Sequence, residues 1–211
     1  MNENTIEIFD KQYQKEGGCW NKQACLVDGK IETYSGNGSL LKNTENLIIS
    51  LSRFIKEKNI KSIVDAPCGD FNYMKEVDLS GVEYTGYDVS PNAIEMCRKY
   101  EKENIRFKVA DITKDKLPKC DLVICKDLFI HLSYDDIKLI LENIKDSGCK
   151  YFGTSRYEKG QYANTDKQTS ESARTIEITT DPFNFNYKVI ERFKYTNNSS
   201  LKDELIIFEV N

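Results

Sequence analysis

The stretch KSIVDAPCGDFNYM, residues 61–74, decides the fold. It begins as a short β-branched run, Ser62-Ile63-Val64, reaches an acid at Asp65, and is then broken by Pro67 and Gly69. The same sequence of strand, turn and helical segment recurs downstream. VEYTGYD (82–88) leads to SPNAIEMCRKYEK, IRFKVAD (105–111) leads to a polar turn, CDLVIC (120–125) precedes LSYDDIKLILENIKDSG, and CKYFGTS (149–155) precedes a polar loop. Strands alternating with helices at this spacing predict a parallel sheet that must cover its faces with helices, so the fold class is α/β. Near the C-terminus the pattern changes: YKVIERFKY (187–195) and DELIIFEVN (203–211), joined by TNNSSLK, predict an antiparallel pair that finishes the sheet.

Helix boundaries follow from local chemistry. Ser90-Pro91 supplies an N-cap and a first-turn proline. Ser133 with Asp136 resembles a capping box ahead of Ile137, Ile140, Leu141 and Ile144 at helical spacing. Leu40, Thr44, Leu47, Ile48, Leu51, Phe54 and Ile55 trace an amphipathic helix with Ser39 as its expected cap. Upstream lies one short amphipathic helix (Ile6, Phe9, Tyr13), and residues 1–38 are expected to form a lid over a domain spanning 39–211. The polar stretch 158–175 reads as a long surface loop.

The chain has 211 residues, enough for one domain with an embellishment; 39% are hydrophobic and 30% charged, which excludes disorder and fibres. No apolar run approaches the ~20 residues of a membrane span, and the acidic start MNENTIEIFDKQY has no signal-like h-region. A cytoplasmic location is expected. Thirty basic against 34 acidic side chains give a net charge of −4, so nucleic acid is not an expected partner. Seven cysteines without a C-x-x-C pair, and the single histidine His131, make no zinc signature, and no metal is expected.

Three strand tips carry acids. In an open parallel sheet, ligands bind beyond the strand C-termini. Gly69 lets a ligand approach the backbone, Asp88 lies 19 residues later where a carboxylate can take both hydroxyls of a ribose, and Asp111 can take the amino group of an adenine. No G-x-G-x-x-G follows the first strand, which disfavours NAD and FAD and favours a nucleoside without phosphates.

The order of these elements resembles the class I S-adenosylmethionine-dependent methyltransferases. Their (D/E)-x-G-x-G-x-G motif aligns with Asp65 to Phe71, Pro67 and Phe71 replacing the first and third glycines. The strings DAPCGDFNYMKEVDL, YTGYD, ADIT and DLVICKDLFIHL, with SGNGS at 35–39 and PFNF at 182–185, resemble a bacterial subfamily of small methyltransferases. Its members occur among polysaccharide-modifying enzymes, including those that methylate the capsular O-methyl phosphoramidate group.

The resemblance implies a Rossmann-like, seven-stranded, mostly parallel sheet with helices on both faces and the last strand antiparallel. It implies S-adenosylmethionine as cofactor and S-adenosylhomocysteine as product. The cofactor positions are then Asp65, Ala66, Pro67, Cys68, Gly69, Asp88, Val89, Asp111, Ile112 and Lys126. Lys126, Asp127 and His131 are the catalytic candidates, and Arg156, Trp20, Ser35 and Ser39 the substrate-binding ones. His131 is read as a general base or an orienting residue, Lys126 and Arg156 as neutralising an anionic acceptor. The resemblance implies an acceptor that is a small molecule or glycan precursor methylated on oxygen, of phosphate or phosphoramidate type in capsular polysaccharide biosynthesis, with a sugar hydroxyl as the alternative. A nucleotide-sugar oxidoreductase and a non-catalytic nucleoside-binding protein are the alternatives, and the oligomeric state stays open.

Overall fold

The computed structural model describes residues 1, 3–14, 25–157, 164–170, 172–195 and 203–211. Two short strands, β1 (Leu26–Val27) and β2 (Lys30–Ile31), form an outlying hairpin. The main sheet contains β3 (Ser62–Asp65), β4 (Glu83–Asp88), β5 (Ile105–Val109), β6 (Leu122–Cys125), β7 (Tyr151–Tyr157), β8 (Lys188–Tyr195) and β9 (Asp203–Glu209). Its order is β5-β4-β3-β6-β7-β9-β8, seven strands in which β9 alone runs opposite to the other six. The expected sheet, with its final strand antiparallel, is the observed one.

Strand order reverses at β3, which pairs with β4 on one side and β6 on the other, so the crevice falls beyond Asp65 and Cys125. β6 is buried at all four positions because helices cover both faces. One face packs Leu47, Leu51 and Phe54 of α2 (Leu41–Glu57) and Ile94 of α3 (Pro91–Cys97). The other packs Ile137, Ile140, Leu141 and Ile144 of α4 (Tyr134–Ser147), with Phe9 of α1 (Glu3–Lys11) nearer the cleft. Each of those α4 side chains is at most 3% exposed, as the helical spacing requires.

The predicted caps of α3 and α4 are present: Ser90 Oγ accepts from Ala93 N at 3.0 Å and Ser133 Oγ from Asp136 N at 3.2 Å. The cap of α2 is not Ser39. That residue lies in a one-turn 3₁₀ helix (Asn37–Ser39), and the orphan N–H of Leu41 is taken instead by the Glu32 carboxylate at 2.7 Å. A side chain nine residues upstream thereby does the work of a cap. Between β3 and β4 the helical rhythm also fails, leaving only a 3₁₀ turn (Met74–Glu76). Phe71, Tyr73 and Met74 are buried there, while the side chains of Asp70 and Asn72 are used to hold residues 32–39.

Candidate active site

A cleft of about 910 Å³, measured to include its open mouth, lies beyond the tips of β3, β4 and β6. Its walls include Ala66, Pro67, Cys68 and Gly69 from the first turn, Asp88 and Val89 from the second, Ile112 from the third, and Lys126, Asp127 and His131 from the fourth. Ser35 and Ser39 close it from the N-terminal segment, with Phe9 and Tyr13 beside them.

The first two tips are joined. Gly69 has φ +54°, a left-handed conformation, and a Cβ there would lie 2.2 Å from Ser35 Oγ. Its N–H donates to Asp88 Oδ2 at 3.1 Å, while Ser90 N–H donates to Asp88 Oδ1 at 2.9 Å. Asp88 is only 4% exposed. Burial pushes its carboxyl up to about 6, against the pull of the two N–H donors, and the neighbouring charges of Asp10 and Asp70 add to the rise.

Asp65 lies beneath the floor and is absent from the cleft wall. Its Oδ2 accepts the Tyr84 hydroxyl at 2.7 Å, and burial raises its pKa to about 7. Asp111 sits beside the cleft between two wall residues. Its carboxylate holds the Met1 ammonium at 2.6 Å and the Thr113 hydroxyl and N–H at 2.6 and 3.0 Å. Burial alone would raise its pKa, but these donors outweigh it and the net shift is downward. Asp111 is thus committed to the chain's own N-terminal segment.

Beyond β6 the chain turns sharply at Asp127, φ +56°. The buried Lys126 ammonium pairs with Asp127, donates to Gly38 O at 2.9 Å and lies over the rings of Tyr195 and Tyr73 at 4.7 and 5.4 Å. Asp127 also accepts from the Ser155 hydroxyl at 2.7 Å and the Tyr195 hydroxyl at 3.0 Å. Burial opposes its ionisation, yet Lys126 and these two hydroxyls hold it down at about 2. A Cβ on Gly38 would approach Asp127 Oδ2 to 2.8 Å, so only glycine lets the 35–39 loop close on this pair.

One substrate-binding expectation is placed elsewhere. Arg156 does not line the cleft: it pairs with Glu177 at 2.7 Å and Glu204 at 3.9 Å, an ion cluster at the edge of β7 and β9. Trp20 lies outside the described residues. Tyr13, Tyr73, Ser155 and Tyr195 join the site without having been singled out. Tyr195 stands 68 positions from Asp127, a separation at which no local spacing signals contact.

A parallel sheet with one antiparallel strand, a cleft at its switch point and an acid buried at the tip of β4 define the Rossmann-like class to which S-adenosylmethionine-dependent methyltransferases belong. Residues 63–147 match the family model described as a methyltransferase domain. Among curated proteins no sequence relative matches.

Solved structures share the fold at low identity. The chain is similar to magnesium protoporphyrin IX methyltransferase from Synechocystis PCC 6803 with bound S-adenosylmethionine, at TM-score 0.67 and 12% identity, over 100% of both chains. It is similar to the N-methyltransferase NodS from Bradyrhizobium japonicum WM9 at TM-score 0.59 and 13% identity, over 81% of this chain and 98% of that one. It is also similar to human N-acetylserotonin methyltransferase in complex with S-adenosylmethionine, at TM-score 0.54 and 18% identity, over 80% of this chain and 52% of the other. Among the described residues no helix is long and apolar enough to cross a membrane.

Proposed function

We propose that this protein transfers the methyl group of S-adenosylmethionine to an oxygen of a small-molecule or glycan-precursor acceptor. The observation that carries the cofactor half is Asp88, a carboxylate buried at a strand tip yet lining an open cleft, 3.1 Å from the N–H of Gly69. Two ribose hydroxyls donating to it would repay its desolvation. Val89 and Ile112 offer apolar walls for an adenine, and the turn from Asp65 to Gly69 receives the methionine portion. The chemistry is in-line displacement at the sulfonium methyl, so the protein mainly aligns an acceptor lone pair at about 3–3.5 Å and excludes water.

The acceptor follows from where charge sits. Resemblance to capsule enzymes suggests a phosphate- or phosphoramidate-type oxygen, which requires cations to receive it. Lys126 is already paired with Asp127, and Arg156 with Glu177. This distribution favours a neutral acceptor hydroxyl, such as that of a sugar, with His131 in the cleft wall as the base that removes its proton. The anionic acceptor remains the second reading, supported by the sequence resemblance.

Incubation with labelled S-adenosylmethionine and a panel of sugar and phosphorylated acceptors separates the two. Turnover of neutral hydroxyls is expected, and turnover of anionic acceptors alone would reverse the assignment. Calorimetry that finds no binding of S-adenosylmethionine would sink the whole reading.

A further inference from the structure

Residues 164–170 and 172–175 do more than cover the surface, because they lie across the turn that carries His131. Three successive main-chain carbonyls of that turn accept hydrogen bonds from them. Ile130 O accepts from Arg174 N at 3.1 Å, His131 O from Ser170 N at 3.0 Å, and Leu132 O from Arg174 Nη2 at 2.6 Å. Arg174 Nη1 adds a second bond to Ile130 O at 3.3 Å, and its Nε anchors to Thr165 O at 2.7 Å. The same segment holds the start of α4: Thr169 Oγ1 accepts from Ser133 N at 2.7 Å and Asp166 from Tyr134 N at 2.8 Å.

On this platform the Ser172 carbonyl stands 3.2 Å from His131 Nδ1, and the Lys167 ammonium donates to the same carbonyl. A carbonyl oxygen can only accept. The ring nitrogen facing it must therefore be the one that carries hydrogen, and in a neutral imidazole the other nitrogen, Nε2, is then the acceptor.

We propose that residues 164–170 and 172–175 form a strap that fixes the tautomer of His131, with Arg174 as its positioning residue, so that the neutral ring presents Nε2 as its proton acceptor. The role of that acceptor rests on the function proposed above. As the acceptor oxygen forms its bond to the methyl carbon and the carbon–sulfur bond breaks, the hydroxyl proton passes to Nε2. The resulting imidazolium keeps its Nδ1–H on the Ser172 carbonyl, which stabilises the charge it has gained. S-adenosylhomocysteine leaves as the neutral thioether.

His131 is the chain's single histidine, so its ring nitrogens can be read in the intact protein without ambiguity. Long-range proton–nitrogen correlation spectra, recorded at a pH where the ring is neutral, are expected to show Nδ1 with a protonated-type shift and Nε2 with an unprotonated-type shift. In Arg174→Ala the strap loses three side-chain bonds, and the Nδ1–H form is expected to lose its majority; Arg174→Lys, which keeps the charge, is expected to fall between.

A wild-type spectrum with hydrogen on Nε2 overturns the proposal whether or not any variant folds. An Arg174→Ala spectrum identical to wild type removes Arg174 from the positioning role. Neither readout needs a methyl acceptor, so failure of the strap and failure to bind S-adenosylmethionine are distinguishable.

Discussion

Ser35 and Asp70 hold each other twice: the serine hydroxyl donates to the Asp70 carboxylate at 2.8 Å and accepts from the Asp70 N–H at 3.0 Å. Thr33 Oγ1 and Tyr34 N add donors to the same carboxylate at 3.0 and 2.6 Å. The segment before α2 is thereby bonded to the turn that follows β3, and Tyr13, from the turn after α1, reaches Ser35 Oγ at 3.2 Å. The N-terminal segment and the proposed cofactor turn form one polar joint.

Gly69→Ala tests that joint at its tightest point. A left-handed alanine costs about 1–2 kcal/mol, and its Cβ would also collide with Ser35 Oγ at 2.2 Å. The variant is expected to lose at least that much stability and to bind S-adenosylmethionine weakly. Thermal unfolding and calorimetry measure both, and wild-type affinity in this variant would show that the turn does not meet the cofactor.

Residues 1–38 as a lid make a separate prediction. Asp10 of α1 accepts from Asn92 N at 2.9 Å and from the Ser90 hydroxyl, so α1 docks on the start of α3 without contributing a strand to the main sheet. A chain lacking residues 1–34 is expected to keep the cooperative unfolding of the sheet while losing at least about tenfold in turnover, because the acceptor is no longer aligned. Full activity in the shortened chain would dismiss the lid.

The raised pKa of Asp88 sets a direction with pH. Its folded value of about 6 lies above the ordinary 3.8, so the proton it retains contributes stability that is fully present below about pH 4 and lost as pH rises through about 6. Ribose hydroxyls donate to the ionised form, so binding lowers this pKa and releases a proton near pH 6. Affinity for S-adenosylmethionine is expected to rise from about pH 5 to about pH 7 and to weaken by about 2–4 kcal/mol in Asp88→Ala. Calorimetry in buffers of different ionisation enthalpy reads the proton release, and a flat profile would contradict the assignment.

The architecture was legible because strand signals are local. Ile63-Val64, the turn at Pro67 and Gly69, and the Ser90-Pro91 cap each announce themselves within a few residues. What escaped was the pairing of side chains brought together by topology. Glu32 capping α2, Tyr195 on Asp127 and Glu177 on Arg156 join segments 9 to 68 residues apart, and a charge seen in isolation does not reveal whether a partner awaits it. Arg156 looked like an anion receptor because it follows a strand near the site, whereas the sheet's own order supplies Glu204 from β9 beside it.

Arg156→Gln should accordingly behave as a structural change. Glu177 and Glu204 are at most 17% exposed at the side chain, and removing their shared cation leaves Glu177 to the Thr179 N–H and hydroxyl and Glu204 to Arg192 at 3.4 Å. A loss of about 1–3 kcal/mol in stability is expected, with KM for the acceptor unchanged. A raised KM at unchanged stability would restore Arg156 to the substrate site.

His131 decides the type of acceptor. A sugar hydroxyl is a poor nucleophile until its proton leaves, so with that acceptor His131→Ala is expected to cost about 10²–10⁴ in kcat/KM. The wild-type rate should fall on the acid side as the imidazole protonates and Nε2 ceases to accept, and the variant should lose this limb. A phosphate or phosphoramidate oxygen already carries negative charge and needs no base. For such an acceptor His131→Asn would leave the profile unchanged, and positive charge in the cleft would matter instead, making Lys126→Met the damaging substitution. Lys126 is held by Asp127 and by Gly38 O at 2.9 Å, so its removal also loosens the 35–39 loop; affinity for S-adenosylmethionine must be measured alongside the rate to separate loop closure from charge. A pH-independent rate in wild type together with a silent His131→Asn would transfer the assignment from hydroxyl to anion.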